Sequence, residues 1–193
     1  MPLFLLDRDG VVVVNRKDNI KSPAGLVLIS GAAEAIARLT AAGIDVAICT
    51  NQPEVARGVM SHADLDAVHD ALTEMLAAKG ARIGRILSCI CERKTPRMKP
   101  AAGMLREALA HYGAKAAETP FVGDQVDDLK AAFHAGCLRV LVRTGLGRRA
   151  LEDGLPQYLE PVAVYDDLAA VVDAYLGNRA GASAFLPQNE RAN

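Results

Sequence analysis

The sequence has no tryptophan, and aromatic residues make up only 4% of its 193 residues. Proteins that bind single-stranded nucleic acid stack the bases on aromatic side chains, so this scarcity argues against such a function. A net charge of −1, from 22 lysines and arginines against 23 aspartates and glutamates, supplies no overall field that would attract a polyanion. We therefore expect no nucleic acid and no membrane as a partner, and local groups must hold any anionic ligand.

Long hydrophobic segments are also absent. No stretch reaches the roughly 18 apolar residues that a transmembrane helix needs, and the apolar run Leu3–Leu6 is too short for a secretion signal. The sequence has four cysteines, too few for a disulfide framework at this length. These absences predict a cytoplasmic protein with free thiols, and Cys49 and Cys137 are expected to be buried because they lie in or beside apolar segments.

The residues that are present favour a single α/β domain. Short apolar runs alternate along the chain with segments in which apolar residues recur at helical spacing. The predicted strands are Leu3–Leu6, Ile44–Cys49, Ile83–Cys89, Pro120–Gly123, Leu138–Val142 and Val162–Val164. This alternation predicts a doubly wound, Rossmann-like parallel sheet with helices on both faces, in one domain that spans 1–177. Residues 178–193 are small, polar and unpatterned, which predicts a disordered tail.

Acidic and polar residues follow several of the predicted strands. They are Asp7, Asp9, Thr50, Asn51, Asp124 and Asp128, together with Lys99 in the loop after the third strand. In an open parallel sheet, a ligand binds beyond the carboxyl ends of the strands, where the order of the strands reverses. We therefore expect these side chains to meet in one crevice.

The chemistry of this set points to a metal and a phosphate. Neighbouring carboxylates repel by about 4 kcal/mol per pair at 4 Å, so they require a counter-charge. A divalent cation supplies it, and a set of oxygen ligands without histidine or cysteine selects Mg²⁺. The cation then lets Thr50, Asn51 and Lys99 bind a phosphate dianion. Asp7 can attack phosphorus to form an aspartyl-phosphate, and Asp9 can donate and accept protons.

Four motifs in order resemble those of the haloacid dehalogenase (HAD) superfamily of aspartate-nucleophile phosphatases. They are Asp7-Arg8-Asp9-Gly10-Val11, Thr50-Asn51, Lys99, and Gly123-Asp124-Gln125-Val126-Asp127-Asp128. The resemblance implies that Asp7 is the nucleophile, Asp9 the acid and base, and that Thr50 and Lys99 bind the transferring phosphoryl group. It also implies that Asp7, Asp9 and Asp124 hold Mg²⁺. We add Asp128 as an outer support of the metal, and interpret Asp127 as a charge at a helix N-terminus.

Further segments resemble the D,D-heptose 1,7-bisphosphate phosphatase branch, which is related to the histidinol phosphatases. They are Lys21-Ser22-Pro23, Thr50-Asn51-Gln52, Ala56-Arg57-Gly58, Lys99-Pro100 and Val140–Gly145, and the resemblance runs from about Leu3 to Leu176. That branch has no large cap domain, and the spacing of the motifs leaves no room for one here. A small sugar phosphate is therefore implied as substrate, with Asn51, Gln52 and Arg57 near it, although Gln52 and Arg57 could equally be solvated surface groups.

The chain departs from that branch in the loop before Lys99, where relatives carry a zinc site. Cys89 matches the first zinc ligand, but Cys91 stands in the histidine position and the second pair of cysteines is absent. Two thiolates cannot complete a tetrahedral site, so we predict no structural zinc. Met98 stands where the branch has a substrate-recognising arginine, and Arg97 is a candidate to replace it.

Other functions and roles stay open at this point. The chain could act on histidinol phosphate or another small metabolite, pass the phosphoryl group to a second hydroxyl, or be a receiver-like signalling domain. Its four histidines, His62, His69, His111 and His134, are expected to serve packing or the surface. We interpret Arg143–Arg149 as a flexible surface loop, with a ligand-contacting loop as the alternative, and expect a monomer or weak homodimer.

Overall fold

Strands and helices alternate along the chain in the computed structural model, which describes residues 2–177 and 184–185. The strands are β1 (Leu3–Leu6), β2 (Asp45–Asn51), β3 (Arg85–Cys89), β4 (Pro120–Gly123), β5 (Leu138–Val142) and β6 (Val162–Tyr165). The α-helices within these residues are α1 (Ala32–Ala41), α2 (His62–Ala77), α3 (Gly103–Tyr112), α4 (Val126–Ala135), α5 (Gly147–Glu152) and α6 (Leu168–Gly177).

The six strands form one parallel sheet in the order β3-β2-β1-β4-β5-β6. The chain builds outward from β1 to β3 on one side, then returns to the centre and continues through β4 on the other side. This reversal lies between β1 and β4, so the loops after these two strands border the crevice where such folds bind ligands. The predicted doubly wound α/β fold is confirmed.

Two hydrophobic layers cover the sheet, and β1 contributes alternately to both. Phe4 and Leu6 point to the layer that contains α1, α2 and α6, whereas Leu3 and Leu5 point to the layer with α3 and α4. All four side chains are buried, as expected for the central strand of a parallel sheet covered on both faces. The polar residues that follow β1 are thereby fixed at the edge of a rigid core.

Local signals explain where α2 and β2 begin and end. Ser61 caps α2 by accepting a hydrogen bond from the backbone N–H of Asp64, whose carboxylate accepts one from the backbone N–H of Ser61 in return. The strand β2 runs two residues beyond its predicted end and includes Thr50 and Asn51, because both pair with β3. These two polar side chains are therefore held by the sheet itself.

The segment Arg143–Arg149 is not wholly a loop, because its last three residues begin the helix α5, and that part of the interpretation is corrected. The helix α5 begins at Gly147, where a Cβ atom would lie 1.7 Å from the carbonyl oxygen of Val142. Just before it, the Thr144 hydroxyl donates a hydrogen bond of 2.6 Å to the carbonyl oxygen of Gly10 in the loop after β1. Two glycines and the arginines obscure the short helical pattern in the sequence, and the contacts that order this segment come from distant residues.

No separate cap domain occurs in the described part of the chain. Between β1 and β2 lie only loops, one 3-10 turn and α1, and between β2 and α3 lie α2, β3 and loops. None of the helices in the described ranges is long and apolar enough to cross a membrane. Most of the predicted tail 178–193 lies outside the described residues. Ala184 and Phe185 are the exceptions, and both are buried, with Phe185 packed against Phe4 and Tyr175.

Candidate active site

A polar cleft of about 190 Å³ opens at the carboxyl ends of β1 and β2. Its lining comprises Asp7, Arg8, Asp9, Asn15, Asn19, Ile20, Thr50, Asn51, Gln52, Glu54, Lys99, Gln125, Asp127 and Asp128. Most of the predicted site residues are thus brought together where the topology places a ligand. Loops after β1, β2, β3 and β4 contribute to the same cleft, which the central reversal of the sheet makes possible.

Lys99 is the positive centre of the cleft floor. Its ammonium lies 2.8 Å from Oδ1 of Asp7 and 2.7 Å from Oδ1 of Asp128, and all three side chains are buried. Burial works against the charged ammonium, but the two carboxylates outweigh it and raise the pKa of Lys99 above its usual value. Lys99 therefore stays charged and can attract an anion to the oxygen atoms of Asp7.

Asp7 and Asp128 are both perturbed by burial. Burial raises the pKa of the Asp7 carboxyl, and the adjacent Lys99 opposes this shift. In the same way, burial raises the pKa of Asp128 to about 6 against the pull of Lys99. The Asp128 carboxylate also accepts the backbone N–H groups of Asp124 and Gln125, which fixes the start of α4 against the cleft.

Backbone atoms of two loops pack closely around the Asp124 carboxylate. A Cβ atom on Gly10 or Gly145 would lie 2.1 Å from its Oδ2, and both glycines have positive φ angles of 88° and 57°. Oδ2 accepts the backbone N–H of Leu146 at 2.7 Å, whereas Oδ1 is the one buried side-chain oxygen without a hydrogen-bond partner among the described residues. Burial and the charges of Asp128 and Asp7 raise the pKa of Asp124 to about 8.

These carboxylates fit a divalent cation. One oxygen from each of Asp7, Asp124 and Asp128 lies within 4.8 Å of the others. The unpartnered Oδ1 of Asp124 is the kind of buried atom that a cation satisfies, since a buried oxygen without a partner is costly. The donor set is all carboxylate, with no histidine or cysteine, and such hard oxygen ligands suit Mg²⁺.

The Asp9 carboxylate does not join this group of oxygens, and the assignment of Asp9 as a metal ligand stays a prediction. Its carboxylate accepts hydrogen bonds from Arg8 at 3.0 and 3.2 Å, and from Gln52 at 3.1 Å. Asp7 thus faces Lys99 and the carboxylate cluster, whereas the Asp9 carboxylate is held by Arg8 and Gln52. With 22% of its side chain exposed, Asp9 stands at the open part of the cleft.

The end of β2 holds the other predicted phosphate-binding groups. The Asn51 amide donates to the carbonyl oxygen of Lys99 at 2.9 Å, and its carbonyl accepts the Lys99 backbone N–H at 3.1 Å. Gln52 is buried and donates to the Thr50 hydroxyl oxygen at 2.9 Å. Asn51 and Gln52 line the cleft, but both also fix neighbouring site residues.

Comparisons with known proteins agree with this geometry. A HAD-hydrolase-like family model matches residues 97–171. A Pseudomonas aeruginosa protein named D-glycero-beta-D-manno-heptose-1,7-bisphosphate 7-phosphatase is 42% identical over 180 residues, which are 90% of this chain and 97% of the relative. The chain belongs to the HAD superfamily of phosphatases. The D,D-heptose 1,7-bisphosphate phosphatase of B. bronchiseptica, crystallised with magnesium and phosphate, matches with a TM-score of 0.87 and 40% identity, covering 92% of this chain and 99% of that one.

A second solved HAD phosphatase supports the same grouping. The D,D-heptose 1,7-bisphosphate phosphatase of Burkholderia thailandensis has a TM-score of 0.71 and 35% identity, and the match covers 89% of this chain and 96% of that one. The predicted superfamily, its branch and its phosphatase activity are therefore confirmed for this chain.

The structure does not bring Arg97 to the HAD cleft, contrary to expectation. Its guanidinium forms an ion pair with Glu107 of α3 and donates to the carbonyl oxygen of Ser88. Arg57 lies nearer, at the rim, where it is half exposed and within 3.8 Å of Glu54 and 3.6 Å of Glu92. A one-residue shift between Arg97 and Met98 turns the arginine away from the cleft, and the acidic Glu107 then holds it there.

The two cysteines of the predicted degenerate zinc site lie at the end of β3 and in the loop that follows it. Cys89 is buried, and its Sγ lies 3.8 Å from the Thr95 hydroxyl. Burial raises the pKa of the Cys89 thiol, which disfavours the thiolate that a metal needs. The absence of a structural zinc ion stays a prediction.

Several residues of the HAD site escaped sequence reasoning. Arg8 is buried beneath Asp9, and Asn15, Asn19 and Gln125 border the mouth of the cleft. The position of Arg8 between two motif aspartates was an available signal. No local pattern marks the asparagines, because the chain path between β1 and α1 decides which of its polar residues reach the cleft.

Proposed function

We propose that this HAD phosphatase is a Mg²⁺-dependent phosphomonoesterase that acts on a small sugar phosphate, with D-glycero-D-manno-heptose 1,7-bisphosphate as the leading candidate. The observation that carries the proposal is the buried cluster of Asp7, Asp124 and Asp128 around Lys99, with one unpartnered oxygen on Asp124. The names of relatives at 40–42% identity support the choice of substrate.

Asp7 and Asp124 would hold the cation, and Asp128 would support the site from behind. When bound, Mg²⁺ neutralises the carboxylates and offsets the charge of the phosphate. Asp128 holds the ammonium of Lys99 and two backbone N–H groups at the start of α4. The phosphate oxygens would then be bound by Lys99 and by Thr50.

Asp7 is the nucleophile in this proposal. One of its carboxylate oxygens forms a bond to phosphorus while the bond from phosphorus to the sugar oxygen breaks, which leaves an aspartyl-phosphate. The backbone N–H of Arg8 donates to Asp7 Oδ1 at 2.7 Å and orients the carboxylate. Lys99 provides positive charge where the phosphoryl oxygens accumulate negative charge.

Asp9 is the proton carrier. Its protonated carboxyl gives a proton to the departing sugar oxygen, and the resulting carboxylate accepts a proton from the water that hydrolyses the aspartyl-phosphate. This cycle regenerates both aspartates. Asp9 lines the cleft with part of its side chain exposed, which suits contact with the leaving group.

The rim of the cleft suits a hydroxylated leaving group. Asn15, Asn19 and Gln125 offer amide donors and acceptors where the sugar would lie. An open cleft also admits water, which favours hydrolysis over transfer to a second hydroxyl. A receiver-like role has no support from the end of β3, which is followed by Ile90 and Cys91 instead of an aspartate.

Phosphate release from a panel of phosphate esters tests this function. The panel includes heptose 1,7-bisphosphates, histidinol phosphate and hexose phosphates, each with and without Mg²⁺. We expect the heptose bisphosphate to be hydrolysed fastest, and only with the cation present. Asp7→Asn is the matched control, since it keeps the shape of the side chain and removes the nucleophile. A wild type no faster than Asp7→Asn on every ester would disprove the proposal.

A further inference from the structure

Arg8 is a buried cation between the two motif aspartates. Its side chain is 1% exposed, and its guanidinium forks onto the Asp9 carboxylate, with Nε donating to Oδ2 at 3.0 Å and Nη2 to Oδ1 at 3.2 Å. A bidentate contact of this kind fixes the plane of the carboxylate as well as its distance. The orientation of Asp9 therefore depends on the orientation of Arg8.

The remaining guanidinium nitrogen of Arg8 is oriented by a residue far away in the sequence. Nη1 lies 3.3 Å from Nε2 of His69, in the middle of α2. A guanidinium can only donate, so Nε2 accepts, and the His69 ring is neutral with its proton on Nδ1. Burial, together with the charge of Arg8, lowers the pKa of His69 to about 4, so the ring keeps this accepting form at neutral pH.

His69, Arg8 and Asp9 thus form a chain of side chains from α2 to the cleft. Gln52 completes it from the other side, donating to Asp9 Oδ2 at 3.1 Å. Loss of the His69 acceptor would leave a donor of a buried guanidinium without this partner, and the fork could rotate to find another. Asp9 would then lose the fixed direction that proton transfer requires.

We propose that His69 is a positioning residue for Asp9 and acts through Arg8. This inference rests on the proposed function, in which Asp9 gives a proton to the departing sugar oxygen. His69 does not line the cleft, so its removal should weaken proton transfer while leaving phosphate binding and the attack by Asp7 intact.

Substrates that differ in their need for a proton test the inference. The p-nitrophenolate ion leaves without protonation, whereas a sugar alkoxide requires it. We expect His69→Leu to lower kcat/KM about tenfold for the best sugar phosphate and at most about twofold for p-nitrophenyl phosphate. His69→Gln, whose amide oxygen can replace Nε2 as acceptor, should recover most of the loss. His62→Leu, on the exposed first turn of the same helix, is the matched control and should change neither value.

Asp9→Asn separates a failure of this inference from a failure of the proposed function. The readout is kcat/KM, which does not include the later hydrolysis of the aspartyl-phosphate, and if Asp9→Asn lowers it by the same factor for both substrates, Asp9 is not the proton donor and the proposed mechanism fails. If Asp9→Asn distinguishes the two substrates but His69→Leu lowers both equally, or neither, the positioning role is overturned and the mechanism stands. His69→Met, with a flexible side chain that fills the same space, replaces His69→Leu if that variant does not fold.

Discussion

At the scale of single residues, the site is defined by which carboxylate oxygens have partners. The Lys99 ammonium forms ion pairs with Asp7 and Asp128, and the Arg8 guanidinium forms one with Asp9. Among the described residues, Oδ1 of Asp124 has no hydrogen-bond partner. The Asp124 carboxyl is consequently the group whose ionised form is least supported by the protein itself. A cation bound there would supply what the side chains do not.

Asp124→Asn is therefore expected to separate metal binding from folding. The asparagine oxygen can still accept the Leu146 N–H, and the cost of keeping a buried carboxyl next to Asp128, whose charge raises the pKa of Asp124 to about 8, disappears, so the melting temperature without Mg²⁺ should equal or exceed that of the wild type. Saturating Mg²⁺ should stabilise the wild type, by about 2.7 kcal/mol at a hundredfold excess over Kd, and should leave the variant unchanged. Thermal melts of both proteins, with Mg²⁺ or a chelator, measure this. An equal shift in the variant would place the cation elsewhere.

A second prediction at this scale concerns His69 and the free energy of unfolding at acid pH. The His69 pKa of about 4 in the folded protein lies below the ordinary histidine value of about 6.5, so the unfolded chain binds more protons between these values. The free energy of unfolding should therefore fall as the pH drops from about 6.5 to 4, by at most about 3 kcal/mol from this residue. Above pH 6.5 the residue should contribute no pH dependence.

Urea unfolding at several pH values checks the acid effect. His69→Gln lacks the titrating ring, so the stability difference between wild type and variant should shift in favour of the variant as the pH falls through this window. His62→Leu should follow the wild type, since His62 is exposed. If the free energy of unfolding varies with pH in the same way for all three proteins, His69 is not held neutral in the folded protein.

At the scale of elements, the segment between β5 and α5 packs closely against the Asp124 carboxylate. Gly145 touches both the Asp124 carboxylate and the loop after β1, and the Thr144 hydroxyl joins the two loops. The close approach requires glycine for two reasons, the positive φ of 57° and the space that a Cβ atom would occupy. Only the first reason applies to Gly113, which ends α3 with a φ of 60° and has open space around it.

Gly145→Ala and Gly113→Ala therefore form a matched pair. Each should lose about 1 kcal/mol of stability from the backbone conformation alone. Gly145→Ala should also lose at least about tenfold in kcat, because its Cβ atom would displace the Asp124 carboxylate. Gly113→Ala should keep wild-type kinetics. If the two variants are equally active, the close approach of Gly145 to the Asp124 carboxylate is not needed for catalysis.

The sequence was sufficient to predict where the strands and the motif aspartates lie, but not the conformation of the loops or the direction of their side chains. Strands of a covered parallel sheet are continuous apolar runs, and the residues after them are placed by topology, which is why Asp7, Asp124 and Lys99 could be brought together in advance. The side-chain direction of Arg97 and the order of Arg143–Arg149 depend on Glu107 and Gly10, partners far away in sequence. No local pattern encodes such contacts.

At the scale of the whole molecule, the chain beyond α6 contributes to the core. The Phe185 ring packs against Phe4 of the central strand and against Tyr165 and Tyr175, and only 4% of its surface is exposed. This aromatic cluster joins β1, β6 and α6 in a protein with few aromatic residues. A domain that ended at Gly177, as the sequence predicts, would lack Phe185, which is one member of this cluster.

The chain truncated after Gly177 is expected to fold but to be less stable than the full chain by about 2 to 3 kcal/mol. Phe185→Ala in the full chain should reproduce most of this loss, because the ring supplies most of the buried area. Denaturant unfolding of the three proteins measures it. A truncated chain as stable as the full one would support the predicted boundary and assign no stabilising role to Phe185.

The two hydrogen bonds between the Asn51 side chain and the backbone of Lys99 bear on which changes of sequence this enzyme can tolerate. They attach the ammonium-bearing residue to the sheet at β2, independently of the residues that precede it in the loop after β3. Substitutions in 90–98, at Cys91 and the two arginines included, can therefore leave Lys99 in its place beside Asp7. Changes in this loop can thus leave the position of the Lys99 ammonium, and with it the chemical step, intact.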